Sequence, residues 1–393
     1  MKILMVNVPF SGHVNPTLVL ARKLVERGHH VSYILTNQWK ERIQETGAAF
    51  IPYHNADNYE IIFKNGKPRN FLSALKAWKY VYNTILQVGE EYDLLIYEFF
   101  SFTAFSAAQE RNLKTVRLFS TFAVSRENIG SILISKNKEI DLLKNEWILK
   151  AVTQWICGRI PLATSNILTE ITDVSPNLNI VFTTKEFQRD SHSFDDTYHF
   201  VGPLIGKRPN DLAIPFQLMD KTIIYVSLGT LQNHNLGFYK KCIEAFQKRP
   251  GVSVVMSVGK DTDITKLGDI PPNFYIYPYV PQLEVLEKSS LFITHGGMNS
   301  VNEGLFYGNA LIVIPLDMDQ FAVANRVAEM RLGIVLDMDK VTPDLLWSQA
   351  ETVLADSEIA YQVKRTRTLL HVSGGVNESV DLIEHIDGSF FMK

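Results

Sequence analysis

The sequence predicts an α/β protein made of two doubly wound parallel-sheet domains, and three observations carry that prediction. Short apolar runs alternate with amphipathic helical patterns through the first half of the chain. That alternation is how strands buried on both faces by crossover helices read in a sequence. A second series of the same kind begins at Thr222. Between them, residues 202–215 hold three prolines and two glycines without periodicity, which reads as a linker. The expected division is a first domain at 1–202, a linker at 203–218, a second domain at 219–375 and a closing segment at 376–393.

Taken in order, strand-like runs fall at 3–8, 31–35, 94–97 and 115–119, with helical spacing at 16–27 and 71–88. Residues 126–172 break the alternation, with helical patterns, scattered Trp, Ile and Leu, and no obvious strand. This insertion reads either as a helical cap on the core or, in an enzyme with a small acceptor, as part of the acceptor pocket. The second series continues at 222–226, 252–258, 274–277, 291–294 and 310–314. In the last segment, 377–386, Val380, Leu382, Ile383 and Ile386 recur at helical spacing.

Composition narrows the class of function. At 393 residues with 46% hydrophobic content, the chain can bury the cores of two domains. Its net charge is −3 and no basic block stands out, which excludes a nucleic-acid surface. The two cysteines, Cys157 and Cys242, are far apart and fit a reducing cytoplasm better than a disulfide framework. Lys2 before Ile3-Leu4-Met5-Val6 imitates a signal peptide, but Asn7 and Pro9 interrupt the run and no small-residue cleavage site follows. No apolar run reaches the length of a spanning helix, so a cytoplasmic protein is expected, with peripheral membrane contact left open.

The most informative stretch runs from Thr294 to Gln320. An apolar strand pattern leads into Gly296-Gly297 and then a helix start at Asn299-Ser300, with Val301, Leu305 and Phe306 at helical spacing. Strand, glycine turn and helix N-terminus make an anion site, because backbone N–H groups can approach and the helix dipole adds about half a positive charge. A diphosphate suits it. The plain alternative is a βαβ turn with no ligand, since glycines alone are a weak motif. His295, Glu303, Asp319 and Gln320 would line the same crevice at the carboxyl ends of parallel strands.

Other constellations point to chemistry. After the first strand, Phe10 to Pro16 reads as a loop with Asn15 as helix cap and Pro16 at the first helical position. His13 in that loop is either a structural or exposed histidine or a general base. Glu98 ends a strand at the same sheet edge, and a carboxylate on one imidazole nitrogen would stabilise the imidazolium formed at the other. A place on the surface is the alternative for Glu98. Ser227, Gly229 and Thr230 follow the first strand of the second series and face its crevice. Asp261/Asp263, Asp317/Asp319 and Asp337/Asp339 imitate a metal-binding Asp-x-Asp, but no His or Glu lies nearby at ligand spacing.

With Tyr279-Val280-Pro281-Gln282 upstream, this segment resembles the nucleotide-sugar signature of the family-one glycosyltransferases. That signature is an aromatic-x-Pro-Gln followed by His, Gly, Asn-Ser, Glu and Asp-Gln, and the spacing agrees throughout. The chain is similar to the bacterial macrolide-type branch over essentially its whole length. The resemblance implies the GT-B arrangement, in which two Rossmann-like domains face each other across a cleft and a C-terminal helix crosses back to the first domain. It implies that His13, in Gly-His-x-Asn-Pro, is the general base, oriented by Glu98 where relatives commonly carry Asp. It implies that Ser227, Gly229, Thr230, His295, Gly297, Asn299 and Ser300 hold the diphosphate. Tyr279 would stack on uracil where Trp is usual, Val280 and Gln282 would contact the base region, Glu303 the ribose hydroxyls, and Asp319 and Gln320 the sugar hydroxyls.

The activity so implied is inverting transfer from UDP-glucose, without metal or cofactor, to a hydroxyl of a small apolar acceptor such as a macrolide, flavonoid or other phenol. Two other classes stand beside it. A nucleotide-sugar epimerase or hydrolase would keep the nucleotide motifs. A non-catalytic binding protein for a hydrophobic compound would need neither His13 nor Asp319-Gln320.

Overall fold

The computed structural model describes residues 1–53, 63–64, 67–68, 71–129, 155–156, 160–164, 167–206, 208, 212–230, 235–317 and 319–386. The chain divides into two compact units, one holding the residues up to Gly206 together with those from Ser373 on, the other holding Lys207–Val372. Most of the 126–172 insertion, Cys157 and Met318 lie outside the described residues.

The strands of the first unit are β1 (Lys2–Val6), β2 (His30–Leu35), β3 (Ala49–Pro52), a two-residue pair β4 (Phe63–Lys64) and β5 (Lys67–Pro68), β6 (Leu94–Glu98), β7 (Lys114–Phe119), β8 (Leu178–Val181) and β9 (Tyr198–Phe200). Its helices are α1 (Ser11–Glu26), α2 (Lys40–Gln44), α3 (Phe71–Val88), α4 (Ala104–Glu110) and α5 (Ile167–Thr172). Seven strands form one parallel sheet in the order β3-β2-β1-β6-β7-β8-β9. The order reverses between β1 and β6. Every residue of β6 is buried, as expected of a strand covered on both faces, so its last residue, Glu98, arrives at the carboxyl edge inside the protein.

The second unit carries β10 (Thr222–Ser227), β11 (Val252–Ser257), β12 (Phe274–Tyr277), β13 (Leu291–Thr294), β14 (Ala310–Val313) and β15 (Gly333–Val335). Its helices are α6 (Leu236–Phe246), α7 (Gln282–Lys288), α8 (Met298–Tyr307), α9 (Asp319–Glu329), α10 (Pro343–Ala355) and α11 (Ser357–Val372). The sheet is parallel, in the order β12-β11-β10-β13-β14-β15, and reverses between β10 and β13. Ligands of such sheets bind where the order reverses, outside the carboxyl ends of the strands.

The last helix, α12 (Gly375–His385), belongs to the first unit and packs on α1. Its Val380 and Ile383 are fully buried in the core of that unit. Polar contacts hold its outer side. Arg27 pairs with Asp381 and Glu384, and the His29 Nε2–Glu384 Oε1 distance is 2.9 Å. Burial alone would raise the Glu384 carboxyl, but Arg27 and His29 outweigh it and hold the group below its ordinary value.

One local expectation is corrected. Asn15 is not a cap and Pro16 is not the first helical residue, because α1 starts at Ser11 with Phe10 at the cap position and Pro16 inside. Local propensity favoured proline at the first position, but tertiary hydrogen bonds win. The buried Asn7 amide reaches the His13 carbonyl at 3.1 Å and Thr17 Oγ1 at 2.8 Å. The Thr17 hydroxyl in turn reaches the Val14 carbonyl at 2.9 Å. His13 is therefore placed on the first turn of a helix, not in a loop before it. Among the described residues, no helix is long and apolar enough to cross a membrane.

Candidate active site

The first cluster lies beside the β1/β6 reversal. His13 Nδ1 is 2.9 Å from Glu98 Oε1 and 2.5 Å from Ser120 Oγ, while Ser120 Oγ is 3.0 Å from the same carboxylate oxygen. The Phe100 N–H donates to Glu98 Oε2 at 2.7 Å. Three donors thus converge on Glu98, which is 0% exposed; the surface alternative for it does not hold. An accepting carboxylate requires the imidazole hydrogen on Nδ1, which leaves the Nε2 lone pair to take a proton. Phe10 and Phe100 stand edge-on to the imidazole, with ring centroids 5.7 and 5.3 Å away, and hinder its rotation.

In the second unit, Ser227 closes β10 and Thr230 lies exposed in the turn after it. Gly229 has φ +76, and a Cβ there would come within 2.6 Å of the His295 ring. A Cβ at Gly297 would come within 2.8 Å of His295 Nε2. Both positions exclude larger residues, the first by backbone conformation as well. The glycines therefore cradle the imidazole. Burial lowers the His295 pKa from 6.5 to about 4, although part of the residue still reaches solvent. A neutral His295 offers a hydrogen bond to an anion, not a charge.

The remaining positive character comes from backbone. α8 begins at Met298 after Gly297, which supplies no side-chain cap, so the positive end of its dipole meets the glycine turn. Asn299 and Ser300 are half-buried on that turn. α9 begins with Asp319, and its neighbour Gln320 accepts at Oε1 from the N–H groups of Leu316 and Asp317, at 2.9 and 3.1 Å. Gln320 thereby spends its carbonyl on the turn.

A separate group surrounds Glu303, which is 4% exposed on α8. Both terminal nitrogens of Arg208 bind its carboxylate. Gln282, at the start of α7, donates from Nε2 to Glu303 Oε2 at 2.7 Å and accepts from the Tyr225 hydroxyl at 3.1 Å. Val280 is buried, whereas Tyr279 is 45% exposed.

Two partners were not singled out by the sequence. Ser120 could have been, since it directly follows a strand run that ends at the same sheet edge as Glu98. Arg208 could not, as a lone arginine in an aperiodic linker carries no signal. The Asp-x-Asp pairs serve turns: Asp263 accepts from the Thr265 N–H at 3.1 Å and Asp337 from the Asp339 N–H at 3.2 Å. Among the described residues, no group of three or more His, Cys, Asp or Glu could hold a metal ion.

Known proteins are similar to this chain over nearly its whole length. Residues 252–368 match the family described as erythromycin biosynthesis protein CIII-like, C-terminal domain. The chain is 36% identical to the NDP-glycosyltransferase YjiC of Bacillus subtilis, with 97% of this chain and 96% of that protein covered. It is 32% identical to YdhE, an uncharacterized UDP-glucosyltransferase of the same bacterium, over 98% of each. The solved glycosyltransferase of kitacinnamycin superposes with a TM-score of 0.82 at 27% identity, covering 98% of each chain. Two reversing parallel sheets, the returning helix and full-length identity of this order lead to one conclusion: the chain belongs to the macrolide-type family-one glycosyltransferases and is an enzyme of the GT-B fold.

Proposed function

We propose that the enzyme transfers glucose from UDP-glucose to a hydroxyl of a small apolar acceptor, with inversion and without a metal. The observation that carries the reading is the His13 Nδ1–Glu98 contact of 2.9 Å. It sets Nε2 as the proton acceptor and gives the resulting imidazolium a buried counter-charge. In the proposed step, the acceptor O–H proton passes to His13 Nε2 while the oxygen attacks the anomeric carbon. The bond from that carbon to the diphosphate oxygen breaks on the opposite face, and the departing charge falls to the α8 N-terminus, the Gly229 turn and the neutral His295. These groups perform the task that a metal performs elsewhere.

Uridine is supported by Tyr279, Gln282 and Glu303, which offer a ring face, an amide and a carboxylate in one unit; glucose rests on the resemblance. An apolar acceptor is supported by Phe10 and Phe100 at the His13 ring and by Phe102, which lies 6.0 Å from Phe100 and 4.9 Å from Trp78. A mass-spectrometric screen of several nucleotide sugars against phenols and macrolides, with anomeric configuration read by NMR, tests the whole reading. The expected product is a β-linked glucoside formed at an unchanged rate in excess chelator. Free sugar or epimerised nucleotide sugar as the sole product would favour the hydrolase or epimerase alternative. A rate lost to chelator and restored by magnesium or manganese would remove the metal-free account.

A further inference from the structure

The carboxylate of Glu303 does not stand alone. Arg208 grips it end-on through Nη1 and Nη2, the latter on Oε1, and Gln282 adds a third bond on Oε2. Oε2 then has both its lone pairs engaged, whereas Oε1 has one left. The Arg208 side chain is 14% exposed, and its Nε is buried with no hydrogen-bond partner. A buried donor on a cation left without a partner is costly, so it implies a missing acceptor. In a guanidinium group, the Nε–H and the Nη2 group share one edge. The unsatisfied donor therefore sits directly beside the Nη2–Oε1 contact, next to the one carboxylate oxygen with capacity to spare.

We propose that Arg208 joins Glu303, to which the resemblance already gives the ribose hydroxyls, in reading the vicinal diol, and that Arg208 makes the site select ribonucleotides over 2′-deoxyribonucleotides. One hydroxyl donates to Glu303 Oε1 and its neighbour accepts from Arg208 Nε–H. Adjacent hydroxyls supply a donor and an acceptor side by side, as this pair of groups requires. The fork also fixes the plane of Glu303, since two parallel bonds from one rigid group leave the carboxylate no rotation. Arg208 is accordingly both a specificity residue and a positioning residue for Glu303. The inference rests on the nucleotide-sugar reading above.

Calorimetric titration with UDP and 2′-deoxy-UDP keeps base and diphosphate constant and isolates the diol. The parent enzyme should bind UDP about tenfold to a hundredfold more tightly, the worth of a hydrogen bond to a charged group. Arg208→Lys keeps the charge beside Glu303 but removes both the fork and the Nε–H. It should weaken UDP toward the value for 2′-deoxy-UDP and leave 2′-deoxy-UDP nearly unchanged. If Arg208→Lys unfolds the protein, the charge-neutral pair Arg208→Gln/Glu303→Gln serves instead, with the same expected loss of preference. Equal weakening of both nucleotides would overturn the proposal and reduce Arg208 to general charge balance. Tighter binding of both would overturn it in the other direction, making Arg208 a competitor for Glu303. Parent enzyme that binds UDP and 2′-deoxy-UDP equally defeats the proposal alone, whereas folded parent enzyme that binds neither defeats the nucleotide-sugar reading as well.

Discussion

His13 follows β1 and His295 follows β13, each at the carboxyl end of a strand beside the reversal of its own sheet. Their surroundings differ in one respect that decides what each can do. His13 has a buried carboxylate at 2.9 Å, so protonation creates an ion pair. For His295 the cause of its shift is burial alone, which brings its pKa to about 4, so protonation there is penalised. Histidines beside the reversals of two similar sheets thus differ: one has a buried carboxylate on its imidazole, the other is kept neutral down to about pH 4 by burial. Neighbours, not residue type, set that difference.

The comparison breaks most decisively at His13. His13→Ala should lower transfer by about two to four orders of magnitude, the usual worth of a positioned base. UDP affinity should hold, because the residues proposed to bind the nucleotide belong to the other unit. The loss should shrink for an acidic phenol, whose proton leaves with little help. Equal losses for acidic and non-acidic acceptors would mean that the base lies elsewhere.

Next comes the carboxylate that distinguishes the two histidines. Glu98→Gln keeps the size but cannot stabilise imidazolium, so the rate should fall by about tenfold or more, less than for His13→Ala. The acidic limb of the kcat/KM–pH profile should move to lower pH, since imidazolium loses its favourable partner. An unmoved limb with the same loss of rate would assign Glu98 to folding.

How far these roles could be read in advance varied with how locally they are encoded. The runs at 71–88, 274–277 and 291–294 have their observed bounds: the first is a long amphipathic pattern ended by Gly89, and the two short ones stand between clear stops, Pro-Pro-Asn before and Pro278 after one, Ser-Ser before and His295-Gly-Gly after the other. The short strands β3, β8, β9 and β15 carry no such signal; Leu178–Val181, for example, is interrupted by Asn179. The start of α1 was missed because Asn7 decides it from outside the helix. In the site, Glu98 was legible through its strand, and the glycine turn through its spacing. The Arg208–Glu303 fork was not, since it pairs residues 95 apart in sequence and only one of them lies in a motif.

His295 gives the third test, through stability. Its folded pKa, about 4, lies below the ordinary 6.5, so between those values the unfolded chain binds more protons. The associated stability is fully present above pH 6.5 and is lost as pH falls from 6.5 through 4. From the size of the shift its ceiling is roughly 3 kcal/mol. Urea denaturation at pH 4.5 and 7.5 should show a larger acid loss for the parent protein than for His295→Asn, which has no proton to take up. Identical acid losses would show that His295 is not held neutral by the fold, and the contrast with His13 would vanish.

The smallest effect is expected at Tyr279, where the two units differ in how aromatic rings are used. Phe10 and Phe100 stand edge-on to the His13 imidazole, whereas Tyr279 is 45% exposed and is proposed to stack on the base. Stacking of a base on such a face is worth on the order of 1 kcal/mol, a several-fold change in Kd. Tyr279→Ala should therefore raise the calorimetric Kd for UDP several-fold. Tyr279→Trp, with a larger face, should lower it or leave it unchanged. Because the stacking surface, not the hydroxyl, is held responsible, Tyr279→Phe should bind like the parent. UDP bound equally well by Tyr279→Ala would make the ring a surface residue without a role in binding, and the base would have to be held by Val280 and Gln282 alone.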